Sequence, residues 1–262
     1  MNKAVRYSIT AVIAVCFAAG TLILSDEVRD QHRLKTCTGL DISFPDSLKF
    51  VSEDDVKGYL DSRYGAYIGQ RLDSVELFRI EEIIQSSSAV KSCEAWTTDD
   101  GTLHLSVSQR EPVIRFMKGR NGFYVDGTGY IFPLHSSFTA QVMTVEGDIP
   151  VSVNEGFKGE AATDEEKEWI YGMLSMYRQL SSMKALKGRM SKIDVTGNGD
   201  IVLTLTDDPD ERFILGSTDD IKSKLDRIEK YRTVIRPTVG DRKYKTINVK
   251  YKGQIICRTT GI

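Results

Sequence analysis

An α+β protein on a single N-terminal transmembrane helix is the fold class this sequence predicts. Three observations carry it: one long uncharged run near the start, a β-α-α-β-β pattern behind it, and a strand-dominated remainder with two helices.

Tyr7 to Ser25 is a run of 19 uncharged residues. At about 1.5 Å per helical residue, such a run matches the roughly 30 Å hydrocarbon core of a bilayer. Lys3 and Arg6 precede it, and Asp26, Glu27, Arg29 and Asp30 follow. The positive-inside bias therefore places residues 1–6 in the cytoplasm and the body outside it. A cleaved signal peptide carries its small residues after the apolar stretch. Here Ala18, Ala19 and Gly20 lie inside it, ahead of Leu22, Ile23 and Leu24. Val15 before Cys16 is too large for a lipoprotein site. The expectation is an uncleaved anchor over 7–25 and a charged linker over 26–36.

Leu40, Ile42 and Phe44 alternate with polar residues, the period of a half-buried strand ended by Pro45-Asp46. Ser52 with Asp55 has the spacing of a capping box, and Val56, Tyr59 and Leu60 follow at helical spacing. A second helix after Asp73-Ser74 carries Val75, Leu77, Phe78, Ile80, Ile83 and Ile84. AVKSCEAWT and TLHLSVSQ then flank Asp99-Asp100-Gly101, a hairpin turn. The predicted core of this domain, 37–111, is Leu40, Ile42, Val56, Leu60, Phe78, Ile83, Leu103 and Leu105.

From Pro112 to Ile262 strands dominate. VIRF, GFYVD, YIFPL and QVMTVEG are separated by turns, and Thr163 with Glu166 caps a helix bearing Trp169, Ile170, Met173, Leu174, Tyr177 and Leu180. KIDV, DIVLTLT and RFILG follow. A last helix starts near Thr218, and Tyr244 to Tyr251 with Gln254 to Arg258 form a hairpin closed at Lys252-Gly253.

Composition narrows the function. With 35 Lys+Arg against 37 Asp+Glu the net charge is −2, which lacks the basic excess of a nucleic-acid binder. Two of the basic residues and none of the acidic ones lie in residues 1–25, so the exported body is more acidic still and unsuited to anionic lipid. Outside the anchor stand Cys37, Cys93 and Cys257, at no metal-binding spacing. A Cys37–Cys93 disulfide inside the first domain is one reading, and three small apolar fillers the other.

Chemistry is sparse. His32, His104 and His135 are scattered, with no HExxH, GxSxG or P-loop. Gly197-Asn198-Gly199-Asp200 reads as a turn, and the Met173, Met176, Met183 series as core. Ser181-Ser182-Met183-Lys184 fits the SxxK of anchored serine hydrolases but lacks its companion elements. The residues call for no catalytic machinery, metal or cofactor.

Several segments in order resemble the bacterial cell-division family FtsQ/DivIB. Behind the short tail and anchor, Cys37 to Arg110 resembles a POTRA domain, and Gln109-Arg110-Glu111-Pro112 the junction into the family's β domain. Tyr124-Val125-Asp126-x-x-Gly129-x-x-Phe132-Pro133 is similar to its YxDxxGxxFP stretch. Phe213-Ile214-Leu215-Gly216, Ile221-x-x-Lys224-Leu225 and Ile247-Asn248-Val249-Lys250-Tyr251 resemble later strands and a helix, with Asn248 where Asp is usual. The resemblance implies a non-enzymatic inner-membrane scaffold that binds FtsB- and FtsL-like single-span proteins and other division components. A POTRA-containing assembly or secretion component is the alternative, although 112–262 cannot supply a transmembrane barrel.

An exposed terminal strand offers unpaired N–H and C=O groups to a partner strand. The partner-binding residues expected on this ground are Gly253, Gln254, Ile255, Ile256, Cys257 and Arg258 of the terminal hairpin, and the resemblance adds Tyr251.

Overall fold

The computed structural model describes residues 35–259 except 137, 155, 184–185, 187–188 and 240–243. The expected span over 7–25 lies outside the described residues. Among the described residues no helix is long and apolar enough to cross a membrane. The chain divides into two compact units at Gln109/Arg110.

The first unit runs β1 (Gly39–Ser43), α1 (Glu53–Arg63), α2 (Leu77–Gln85), β2 (Val90–Thr97) and β3 (Thr102–Gln109). Its sheet has the order β1-β3-β2, with β1 parallel and β2 antiparallel to the central strand. Alternation along β3 sends Leu103, Leu105 and Val107 into the core, where they are fully buried with Val56, Leu60, Ile80 and Ile84. The Ser52 hydroxyl accepts from the Asp55 N–H while the Asp55 carboxylate accepts from the Ser52 N–H, which starts α1. Gln109 closes the unit: its side chain is buried, accepts from the Val51 N–H at 2.8 Å and donates to Asp46 and to the Leu48 carbonyl.

Phe78 corrects the sequence expectation. It is 72% exposed, while Ile80 and Ile84 fill the core. Five apolar residues within the nine of α2 cover more than one face, and residues 78 and 80 point about 200° apart on a 3.6-residue helix. Cys37 and Cys93 are both buried free thiols, and burial pushes the Cys93 thiol up to about 12.

The second unit is built on one mixed sheet of nine strands: β4 (Pro112–Lys118), β5 (Asn121–Asp126), β6 (Ile131–Pro133), β7 (Met143–Gly147), β8 (Met190–Val195), β9 (Ile201–Leu205), β10 (Asp208–Gly216), β11 (Thr246–Asn248) and β12 (Ile256–Arg258). Their order is β12-β11-β10-β9-β8-β7-β4-β5-β6. Three strand pairs are parallel, β4–β7, β7–β8 and β10–β11, and helices lie in the connections of two of them. α3 (Asp164–Ser182) joins β7 to β8, and α4 (Ile221–Lys230) lies between β10 and β11.

Strand register puts Phe116, Val145, Ile193, Leu203, Phe213, Ile247 and Cys257 in one row across seven strands. Ile170, Met173 and Leu174 of α3 and Ile221, Leu225 and Ile228 of α4 share one core with that row. Of the row, only Cys257 at the edge is incompletely buried.

More helix is present here than the two segments the sequence predicts. α4 continues into a π turn at Tyr231–Ile235 and a short helical turn at Arg236–Thr238. Side chains account for the extension: Tyr231 is buried and donates to Glu211 at 3.1 Å, while Arg232 and Arg236 pair with Asp207 and Asp208 at the start of β10.

The YxDxxGxxFP stretch forms a corner. Asp126 accepts from the N–H groups of Thr128 and Tyr130 at 2.8 and 3.1 Å, and from Arg110 at 3.1 Å. The Arg110 guanidinium lies 3.5 Å from the centre of the Tyr130 ring. Gly129 has φ of 90°, and a Cβ there would meet the Tyr171 ring at 3.0 Å. These motif residues are structural.

Candidate functional site

The two ends of the nine-stranded sheet differ. At β6, Ile131 exchanges both backbone hydrogen bonds with Gly159, at 2.8 and 3.0 Å, so that edge is bridged. At the other end β12 pairs with β11 alone, and among the described residues no strand lies beyond it.

Backbone alternation settles which β12 groups face outward. The Lys245 carbonyl accepts from Arg212 N–H, and Val249 N–H donates to the Ile214 carbonyl, both at 2.9 Å. In a parallel ladder those bonds commit Ile247 to β10 and turn the N–H and C=O of Thr246 and Asn248 toward β12. Asn248 is opposite Ile256 and Thr246 opposite Arg258, so Ile256 and Arg258 bond inward. The Lys245 N–H donating to the Arg258 carbonyl at 2.8 Å agrees with this. Ile255 and Cys257 consequently present their N–H and C=O groups away from the sheet.

The hairpin is shorter than its sequence suggests, with three residues on each strand. The Asn248 side chain accepts from the Lys250 N–H at 2.9 Å, which turns the chain out of β11. Gln254 N–H closes a four-residue turn on the Tyr251 carbonyl at 3.3 Å, and Gly253 takes φ of 71° at its third position. The turn leaves Tyr251 52% exposed. Gly253, Gln254 and Arg258 are exposed, and Ile255, Ile256 and Cys257 half-buried. Ile255 and Cys257 pack on the core side of the sheet.

A polar network beneath this edge has no counterpart in the sequence reading. Glu211 on β10 is buried, accepts from Tyr231 at 3.1 Å, and lies 3.3 Å from Arg236. Among the described residues its other carboxylate oxygen has no hydrogen-bond partner. Burial raises the Glu211 carboxyl against the opposing pull of Arg236. Burial also raises the Cys257 thiol, with the Glu211 charge adding to it. The sequence signal was only the acidic run Asp207 to Glu211.

Elsewhere, Ser181 sits in the last turn of α3 and Lys184 lies outside the described residues. Among the described residues no group of three or more His, Cys, Asp or Glu side chains could hold a metal.

A small α/β unit followed by a mixed sheet with one bridged and one open edge defines a two-unit α+β protein organised around sheet edges rather than a pocket. Two family models match it: the POTRA-like domain over residues 35–108, and FtsQ/DivIB, C-terminal related, over residues 111–258. The second covers more than half of the 262 residues, and the chain belongs to that family. The match supports a scaffold kind of role in the cell-division machinery. No curated protein matches the chain.

Proposed function

We propose that this protein is a single-pass inner-membrane scaffold of the bacterial divisome, anchored by Tyr7 to Ser25 with its body outside the cytoplasm. It recruits FtsB- and FtsL-like single-span proteins by adding a strand of the partner to β12. The open β12 edge, on a sheet whose opposite edge is bridged by Gly159, is the observation that supports this reading most directly.

Magnitudes indicate how the capture works. Ile255 and Cys257 offer two groups each, and backbone bonds at about 1 kcal/mol apiece sum to roughly 4 kcal/mol, which is only millimolar affinity. Side chains must supply the rest. Covering the exposed half of Tyr251 adds about 2 kcal/mol. Arg258 ends a row on the other face of the sheet that already holds Arg212 and Lys192, so the partner residue opposite Arg258 should be acidic. The residue opposite Cys257, on the core side, should be apolar.

Photo-crosslinkers placed in cells at Tyr251 and Ile255 should trap a single-span division protein, whereas one at Phe157, beside the bridged edge, should not. Normal division after deletion of Gln254 to Ile262, or trapping equal at all three positions, would refute the proposal.

A further inference from the structure

The first unit has an edge that is the better template for strand addition, yet two of its central outward groups are occupied. β2 is eight residues long, against three for β12, and among the described residues it pairs with β3 alone. Thr98 N–H donates to the Thr102 carbonyl, so with the register of the hairpin Ser92, Glu94 and Trp96 bond inward to β3. Cys93, Ala95 and Thr97 turn their backbone groups outward. Two side chains of α2 meet them: Glu81 accepts from the Ala95 N–H at 2.8 Å, and Gln85 donates to the Cys93 carbonyl at 3.2 Å. The spacing fits. Residues four apart on a helix are separated by about 6 Å along its axis, and outward groups two apart on a strand by nearly 7 Å.

We infer that Glu81 and Gln85 are specificity-determining residues that close the β2 edge to strand pairing, above all with β2 of a second copy of this chain, and so keep this longest edge from competing with β12 for strands. The last clause rests on the reading of β12 given above; the closure of β2 stands without it. An edge of eight residues with free N–H and C=O groups recruits any extended chain. A scaffold that binds through three residues needs its longer edge shut. Glu81 and Gln85 act by competition: an incoming strand must displace a charge-assisted bond and a neutral one before it can pair along the middle of the edge.

Full-length protein in detergent micelles tests this with Glu81→Ala/Gln85→Ala. The Ala95 amide should exchange with solvent at least about tenfold faster, one ordinary hydrogen bond's worth, while the inward Glu94 and Trp96 amides hold their rates. In sedimentation the variant should self-associate at least about tenfold more tightly than the parent. Adding Ala95→Pro, which removes the outward N–H, should return it to the parent's behaviour. Unchanged association with a faster Ala95 amide would overturn the inference. Should the double variant misfold, the parent still decides: Ala95 must exchange more slowly than Thr97, the outward but uncapped amide of the same strand, and equal rates overturn the inference. Ile255→Pro should alter none of these readouts, so failure of β12 capture and failure of β2 closure are separable.

Discussion

Proline substitution at adjacent positions of β12 separates folding from partner capture. Ile255→Pro removes an N–H that points away from the sheet, so no β11 bond is lost. The cost to the fold is part of one half-buried side chain, about 1 kcal/mol. Ile256→Pro removes the N–H directed at the Asn248 carbonyl. In a strand paired over only three residues, the ring should detach β12 altogether. That loses about 1 kcal/mol of hydrogen bond together with the packing of Cys257 on Ile247, for a total of about 2–3 kcal/mol. Urea melts of the full chain in micelles should therefore show the Ile256 variant clearly weaker than the Ile255 variant. In pull-downs both should lose the partner, the first through the missing donor and ring clash, the second through loss of the strand. Equal destabilisation by the two prolines would refute the assigned alternation. Full capture by a folded Ile255→Pro protein would refute strand addition at this edge.

Other expectations follow from burial. Ile80→Ala should cost about 2–5 kcal/mol and Phe78→Ala under about 0.5 kcal/mol in denaturant melts, since Ile80 is fully buried and Phe78 is 72% exposed; the reverse ranking would contradict the placement of α2. Burial raises the Glu211 carboxyl above its unfolded value, so its contribution to stability is present below about pH 4.3 and is lost as pH rises through the folded value. The parent should thus fall in stability relative to Glu211→Gln between mildly acidic and neutral pH, and a constant difference across that range would contradict a raised carboxyl. The Cys93 thiol, pushed up to about 12, should resist iodoacetamide at pH 8 until the protein is unfolded; rapid labelling of the native protein would show it exposed.

Local features were legible and pairings were not. The capping boxes at Ser52 and Thr163 could be read because each closes within three residues, and the β3 strand because its alternation is strict over eight. α2 misled because its apolar residues outnumber one helix face, so spacing alone could not exclude Phe78 from the core. The hairpin was overextended because the Asn248 side-chain bond and the Gly253 turn remove residues that still alternate in sequence. Nothing periodic marks Gly159 as the partner of Ile131, or Glu81 as the cap of Ala95, because both contacts join segments remote in the sequence. The open edge could be proposed from the position of its strand. Its outward residues, Ile255 and Cys257, follow only from the parallel pairing of β10 with β11.

That parallel pairing has a consequence for synthesis. From β8 onward the sheet grows in chain order, β9 on β8, β10 on β9, β11 on β10 and β12 on β11. Each strand finds its template already laid down, so the assembly runs like a zip whose last tooth is the edge proposed for docking. Antiparallel neighbours can close quickly through short turns, but β11 must wait for α4 to cross over the sheet, a non-local step that is intrinsically slow. A nascent chain paused at that crossover, or clipped within it, therefore lacks β11 and β12 and, with them, the edge proposed to receive a partner. Under the proposed role, the capture edge forms only once β11 has crossed to β10, so partner binding would report that this crossover is in place.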